Sequence, residues 1–381
     1  ISLRRLGLAI AIFGGGLGWL SLLGLSSLWK DGLPLEFYSP ETFGFLSILG
    51  LPHLAIARAV LLWGLASYLK PLEIKNKVGN IFINSGWWLI LGFFQPLTAL
   101  VGGVVILVHL AFQLAQPLFE RDVSLVKEKK SRFSIYFQRA IWTGIFALPL
   151  TLYNFLSFQF DPFLSVWQKQ NLILSPPVLD YFLGYAVLLA FAIIGIVWII
   201  RKKAVEEYSL VILWVVIFPL LAYVPYNLQR RLPEGMWVAW VVLGLVGLDN
   251  IPAKWRVTSR ILLSLAFLST MILYTGSLFV FSNPGNPLYR SADEVKMFEY
   301  LVDNAPGDSV VLALHSTSNA LPAWAPMRTL VGLGPESMGL AELLPRIQSF
   351  YSQNVSVEQK MQLLDEFNIR YVICGPEEAA Y

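Results

Sequence analysis

Residues 181–203 read YFLGYAVLLAFAIIGIVWII followed by RKK: twenty residues without a charge, closed by three cations. In a helix rising about 1.5 Å per residue, such a run matches the roughly 30 Å hydrocarbon core of a bilayer. Working outward, apolar runs and short polar loops alternate throughout residues 6–281, and the cations follow the alternation. Of the 28 Lys and Arg residues, 17 fall in five loops, 4 in the four loops between those, 1 inside an apolar run, and 6 from Arg290 onward. A Lys/Arg bias in short loops marks the cytoplasmic side of a polytopic membrane protein.

Composition agrees. The mean hydropathy is +0.61, and 14% of residues are charged against about 25% in soluble domains, which excludes a water-soluble fold for most of the chain. Several of the 13 tryptophans (Trp29, Trp142, Trp167, Trp198, Trp237 and Trp255) sit near predicted span ends, as an interfacial aromatic belt requires. The lone cysteine, Cys374, permits no internal disulfide. The net charge of +3 divides into +9 over residues 1–289 and −6 over 290–381, so two domains in different solvents are expected. Their boundaries are 1–286, a multi-span domain, and 287–381, a small α/β domain.

The pattern predicts nine spans, near 6–25, 53–69, 80–95, 97–116, 140–157, 181–200, 209–223, 237–250 and 261–281. The cationic loops would be the start (Arg4, Arg5), 70–79 (Lys70, Lys75, Lys77), 117–139, 201–208 and 251–260, all cytoplasmic. Nine crossings from an inside start leave the C-terminal domain extracytoplasmic. Residues 80–116 are long for one span and short for two. Gln95-Pro96 breaks them, because proline lacks a backbone donor and disfavours helix at the residue before it. The chain opens on Ile1 and enters a span without a signal-peptide cleavage site, so further residues are expected upstream.

From Pro287 the pattern becomes that of a soluble α/β domain. Ser291 and Glu294 have capping-box spacing before a helix through Leu301. Strands are expected at 309–314, 329–331 and 371–374, with helices near 339–351 and 356–367. Helix alternating with strand predicts a small, mostly parallel sheet. Gly332-Leu333-Gly334 lacks the rest of a dinucleotide fingerprint and reads as a turn.

Candidate site residues follow from the sides. The first outer loop, 26–52, holds Asp31, Glu36 and Glu41, carboxylates able to act as a general base, a divalent-cation ligand or a sugar-hydroxyl acceptor; surface loops also carry such residues simply as solvated groups. His53 opens the next helix. Arg58 lies inside a span, where arginine either faces a polar cavity or snorkels to the interface. Gln229-Arg230-Arg231 supplies half of the four outer-loop cations, and adjacent planar guanidiniums suit a phosphate; an ion pair with Glu234 or contact with lipid headgroups is the alternative. Trp167, Gln170 and Asn171 combine an aromatic face with amides, which suits either a sugar platform or an interfacial anchor. No zinc motif, nucleophile elbow, Walker loop or intramembrane acid relay is visible. His109 and His315 read as packing residues.

The segments Gly14-Gly15-Gly16-Leu17-Gly18-Trp19, Pro52-His53, Ser175-Pro176-Pro177 and Gln229-Arg230-Arg231, with Asn319–Trp324, Gly332–Glu336 and Tyr371–Glu378 in the tail, resemble bacterial polytopic glycosyltransferases of the GT-C type. The resemblance implies transfer of a sugar from a polyprenyl-phosphate-linked donor at the extracytoplasmic face of the cell membrane. No cofactor in the chain and no nucleic acid is implied, and a divalent cation is compatible. Arg230, Arg231, Gln229, His53 and Arg58 would then surround the lipid phosphate, with Trp167, Gln170 and Asn171 at the sugar or acceptor. The catalytic carboxylate would be Asp31, Glu36, Glu41 or a residue preceding Ile1. A transporter or flippase for a lipid-linked glycan, and a non-catalytic membrane-anchored surface protein, are the competing expectations.

Overall fold

The computed structural model describes residues 3–70, 82, 85–352 and 355–380. Lys75, Lys77 and the beginning of the expected span at 80–95 lie outside the described residues. The chain divides into two compact units: Ile1–Leu156 with Ile173–Gly276, and Ser157–Leu172 with Ser277–Tyr381. The second unit therefore begins ten residues before the composition change at Pro287 and takes in a segment of an earlier loop.

The first unit is helical and apolar. Among the described residues, four helical stretches are long and apolar enough to cross a membrane: Pro96–Phe119, Val123–Phe160, Val178–Arg201 and Ala253–Ser282. The nine expected spans are not reached among these residues, for local reasons. The first apolar run stays helical only over Leu3–Phe13, stops at Gly14-Gly15-Gly16, and continues as 3-10 turns. The helix Pro52–Tyr68 has 17 residues and carries Arg58. The run ending at Gln95-Pro96 contributes the eight-residue helix Trp87–Phe94 before the proline starts a new one. Ser209–Tyr223 and Met236–Asp249 are apolar but have 15 and 14 residues, about 21–23 Å of helix. Hydropathy counts composition, whereas these ends are set by backbone breakers.

The opposite departure occurs at Val123–Phe160, one helix of 38 residues. At about 57 Å it exceeds a bilayer core, so the expected span at 140–157 is only its second half. The cationic first half continues the same helix instead of forming a loop.

Close helix packing holds the unit together. Val178–Arg201 meets Met236–Asp249 along Gly195, Gly244 and Gly247. A Cβ at Gly195 would run into the Leu243 carbonyl, and one at Gly247 into the Phe191 carbonyl. Small residues let two backbones touch where hydrophobicity alone gives helices no reason to associate. The core around this contact includes Leu188, Phe191, Trp237 and Leu243.

The second unit contains a parallel three-stranded sheet of order β2-β1-β3, with β1 Val310–Leu312, β2 Arg328–Thr329 and β3 Ile369–Val372. Side chains alternate across a sheet, so Val311 joins Phe298, Leu321 and Ile373 in one core while Leu312 joins Val331, Ile347 and Leu363 in another. All three expected strands form, the first two shorter than expected and the third shifted two residues toward the N-terminus. The expected helices form as Leu340–Tyr351 and Val357–Glu366, the latter with a complete capping box at Ser356 and Gln359. At Ser291 only half of the expected box exists. Its hydroxyl accepts the Glu294 N–H, but the Glu294 carboxylate turns to Arg290 at 3.1 Å.

Candidate functional site

Four polar pieces of the first unit converge: the loop 34–42, the start of the helix Pro52–Tyr68, the turn Gln229–Arg231 and Glu234. A guanidinium one and a half turns into an apolar helix must find partners, because neither lipid nor packed side chains solvate it. Arg58 finds three. Its Nε donates to Glu234 Oε1 at 2.7 Å, and its Nη2 donates to the carbonyls of Pro40 and Glu41, each at 2.7 Å. Both side chains are buried, at 8% and 2% exposure. Arg58 therefore spans from one loop to the other and does not snorkel.

Glu41, also buried, faces Arg231: its Oε1 lies 3.3 Å from Arg231 Nε. This is a charge pairing without an aligned hydrogen bond, for Arg231 Nε has no hydrogen-bond acceptor among the described residues, and neither has Arg230 Nε. Arg230 lies over the Tyr38 ring at 4.9 Å from its centroid, and its backbone N–H donates to Ile173 at 3.1 Å. The Arg231 side chain keeps 30% exposure. Two adjacent guanidiniums thus stand together with Nε–H groups that have no aligned acceptor among the described residues.

Glu36 anchors the other end of the loop. Its Oε1 accepts from the backbone N–H of Gly16 (3.1 Å) and Gly18 (2.5 Å) and from the Ser269 hydroxyl (3.1 Å), while Oε2 has no partner among the described residues. Gly18 must be glycine for this contact, since a Cβ would lie 2.6 Å from Glu36 Oε1. Burial pushes the Glu36 carboxyl up to about 7 despite those donors. Burial likewise raises Glu234, against the pull of Arg58. Tyr38 is pushed up to about 12, chiefly by burial, with Arg230 opposing and the charges of Asp180, Asp31 and Glu36 adding.

An unfolded glutamate titrates near 4.3. The Glu36 contribution to stability is thus fully present below that value and is lost as pH rises through about 7. The melting temperature in detergent is expected to fall by several degrees between mildly acidic and mildly alkaline pH. Glu36→Gln should flatten most of that slope, leaving the part owed to Glu234. A variant with the wild-type slope would remove Glu36 from this role.

The remaining sequence candidates take no part in these bonds. His53 and Asp31 are exposed. Gln229 is occupied by backbone, accepting from Ser175 N–H at 3.2 Å and donating to Val224 O at 2.9 Å, so it shapes the turn that presents the arginines. In the second unit, Trp167 stacks on Phe158 with ring centroids 5.3 Å apart, and its Nε1 donates to Glu336 at 3.3 Å. Gln170 donates to the carbonyls of Pro335 and Ser337 at 2.7 and 2.6 Å. Asn171 is buried beside them in sequence. Trp167 and Gln170 therefore tie the segment 157–172 to the turn Gly334–Glu336 and spend their polar atoms doing so.

Three participants escaped the sequence reading: Tyr38, Ser269, and Glu234 as the partner of Arg58. The usable signal was the buried arginine itself, which required an acid somewhere in a neighbouring loop. Among the described residues no three His, Cys, Asp or Glu side chains gather as metal ligands. No family model matches the chain, and no curated protein matches it in sequence.

Proposed function

We propose that the chain is a membrane glycosyltransferase that takes a sugar from a polyprenyl-phosphate carrier. The observation that carries this reading is the pair of adjacent guanidiniums, Arg230 and Arg231, whose Nε–H groups lack an aligned acceptor, with the Glu41 carboxylate 3.3 Å from Arg231. On this reading, residues 26–52 and 224–236, loops poor in cations apart from Arg230 and Arg231, face the extracytoplasmic side. A phosphate at the end of a lipid tail reaches that level from within the bilayer, and the apolar helices give the tail its surroundings.

In the reaction, an acceptor hydroxyl oxygen bonds to the anomeric carbon of the sugar. The bond from that carbon to the phosphate oxygen breaks, and its electron pair leaves with the phosphate. Arg230 and Arg231 stabilise the charge that develops there, with Glu41 setting the direction of Arg231. The hydroxyl proton passes to a carboxylate. Glu36 and Glu41 are buried and already engaged, whereas Asp31 is exposed and close enough to Tyr38 to act on its ionisation. Asp31 is therefore assigned as the base.

The test uses purified chain in nanodiscs, polyprenyl-phosphate hexoses and pentoses as donors, and an envelope extract as the source of acceptor. Release of polyprenyl phosphate, followed by mass spectrometry, is the expected result. Asp31→Asn should lower that rate at least about a hundredfold while leaving donor affinity intact. No release from any donor would reject the transferase reading, and wild-type release by the variant would reject Asp31.

A further inference from the structure

The C-terminal unit carries a cleft of about 370 Å³, within the roughly 300–1,000 Å³ usual for small-molecule sites. Its place follows from the sheet. From the central strand β1 the chain goes to β2 on one side and then crosses to β3 on the other. The cleft lies beyond the carboxyl ends of β1 and β3, the edge of an open α/β sheet at which ligands bind. Thr317, in the helix after β1, and Gly375–Glu378, directly after β3, line the cleft. Residues 284–294 form its other wall.

The polar groups there are held in place by the protein. Glu378 accepts from Leu314 N–H at 3.0 Å and from Gly375 N–H at 3.2 Å. Arg290 donates to Glu294 and to Ser316 Oγ, both at 3.1 Å, and Asn286 donates to Glu377 at 3.2 Å. These bonds leave the second oxygens of Glu377 and Glu294, the Asn286 carbonyl and the Thr317 hydroxyl for a ligand. Tyr289, 39% exposed, adds an aromatic surface.

Charge narrows the ligand. Three glutamates face one arginine in this lining, so an anion is repelled, while the pairing of Glu294 with Arg290 and the two backbone donors on Glu378 offset the attraction for a cation. Fixed acceptors beside an aromatic ring are instead the means by which adjacent neutral hydroxyls are bound. We propose that this cleft is a binding site for an uncharged sugar unit, separate from the arginine site and independent of the reaction assigned to it.

Saturation-transfer NMR on the full chain in nanodiscs, with glucose, galactose, mannose and N-acetylglucosamine as probes, tests this. Transfer to at least one sugar is expected, with affinity weakened about tenfold or more by Glu377→Gln and by Asn286→Ala. Arg230→Ala, which keeps the Arg231–Glu41 pair, should bind that sugar as the wild type does. The proposal is overturned by silence from all four sugars, by displacement with inorganic phosphate or spermidine, by undiminished binding in both cleft variants, or by loss of binding in the arginine variant.

Discussion

Replacing Glu234 with Leu is expected to destabilise the first unit by about 3–5 kcal/mol, because it strands the Arg58 charge in a buried position. The magnitude comes from isolation of the charge, not from the worth of the pair. The double change Arg58→Met/Glu234→Leu should therefore recover much of the loss. Recovery should be incomplete, since Arg58 also satisfies the Pro40 and Glu41 carbonyls, and a buried acceptor left without a donor costs about 1–3 kcal/mol. Denaturant titration in mixed micelles measures both. A double variant no more stable than Glu234→Leu alone would show that the pair is not an isolated coupling.

Loss of both Arg230 and Arg231 is expected to reduce kcat/KM for the lipid-linked donor by about 10²–10⁴. Each charge-assisted contact to phosphate contributes about 1.5–3 kcal/mol, and about 1.4 kcal/mol corresponds to a factor of ten. The single variants should differ, because their surroundings differ. Arg230→Ala gives up a ring contact with Tyr38 and leaves no buried acid exposed to loss of its partner. It should fold normally and transfer poorly. Arg231→Ala leaves the Glu41 carboxylate, 4% exposed, without its cation. It should lose stability as well as transfer, and adding Glu41→Gln should restore the stability alone. Arg231→Lys should retain the charge but not the planar fork, and recover little of the activity. Equal transfer by wild type and double variant would exclude the phosphate role.

The contrast between these residues also explains what was legible in the sequence. Arg230-Arg231 stood out because two cations opposed the bias of their side, a property visible without coordinates. Gln95-Pro96 was legible as a break because proline acts locally, and the helix Pro96–Ala115 begins there. Gly14–Gly16 was harder: the residues around them are apolar enough for a span, but Gly16 and Gly18 turn their N–H groups to Glu36 instead of continuing a helix. Arg58 announced the need for an acid without naming it, since Glu234 lies 176 positions away. Trp167 and Gln170 had the right chemistry for a sugar, and that same chemistry serves the turn at 334–337. Residue type specifies what a side chain can do; competition among neighbours decides what it does.

The bonding of Glu36 has a consequence for how the loop behaves when acidity changes. Every donor that grips this residue uses one oxygen, and the other oxygen is left bare. A proton can arrive on the bare atom without prising any donor from its neighbour. The grip stays on one oxygen while the proton comes and goes on the other, so the loop can change its charge and keep its shape.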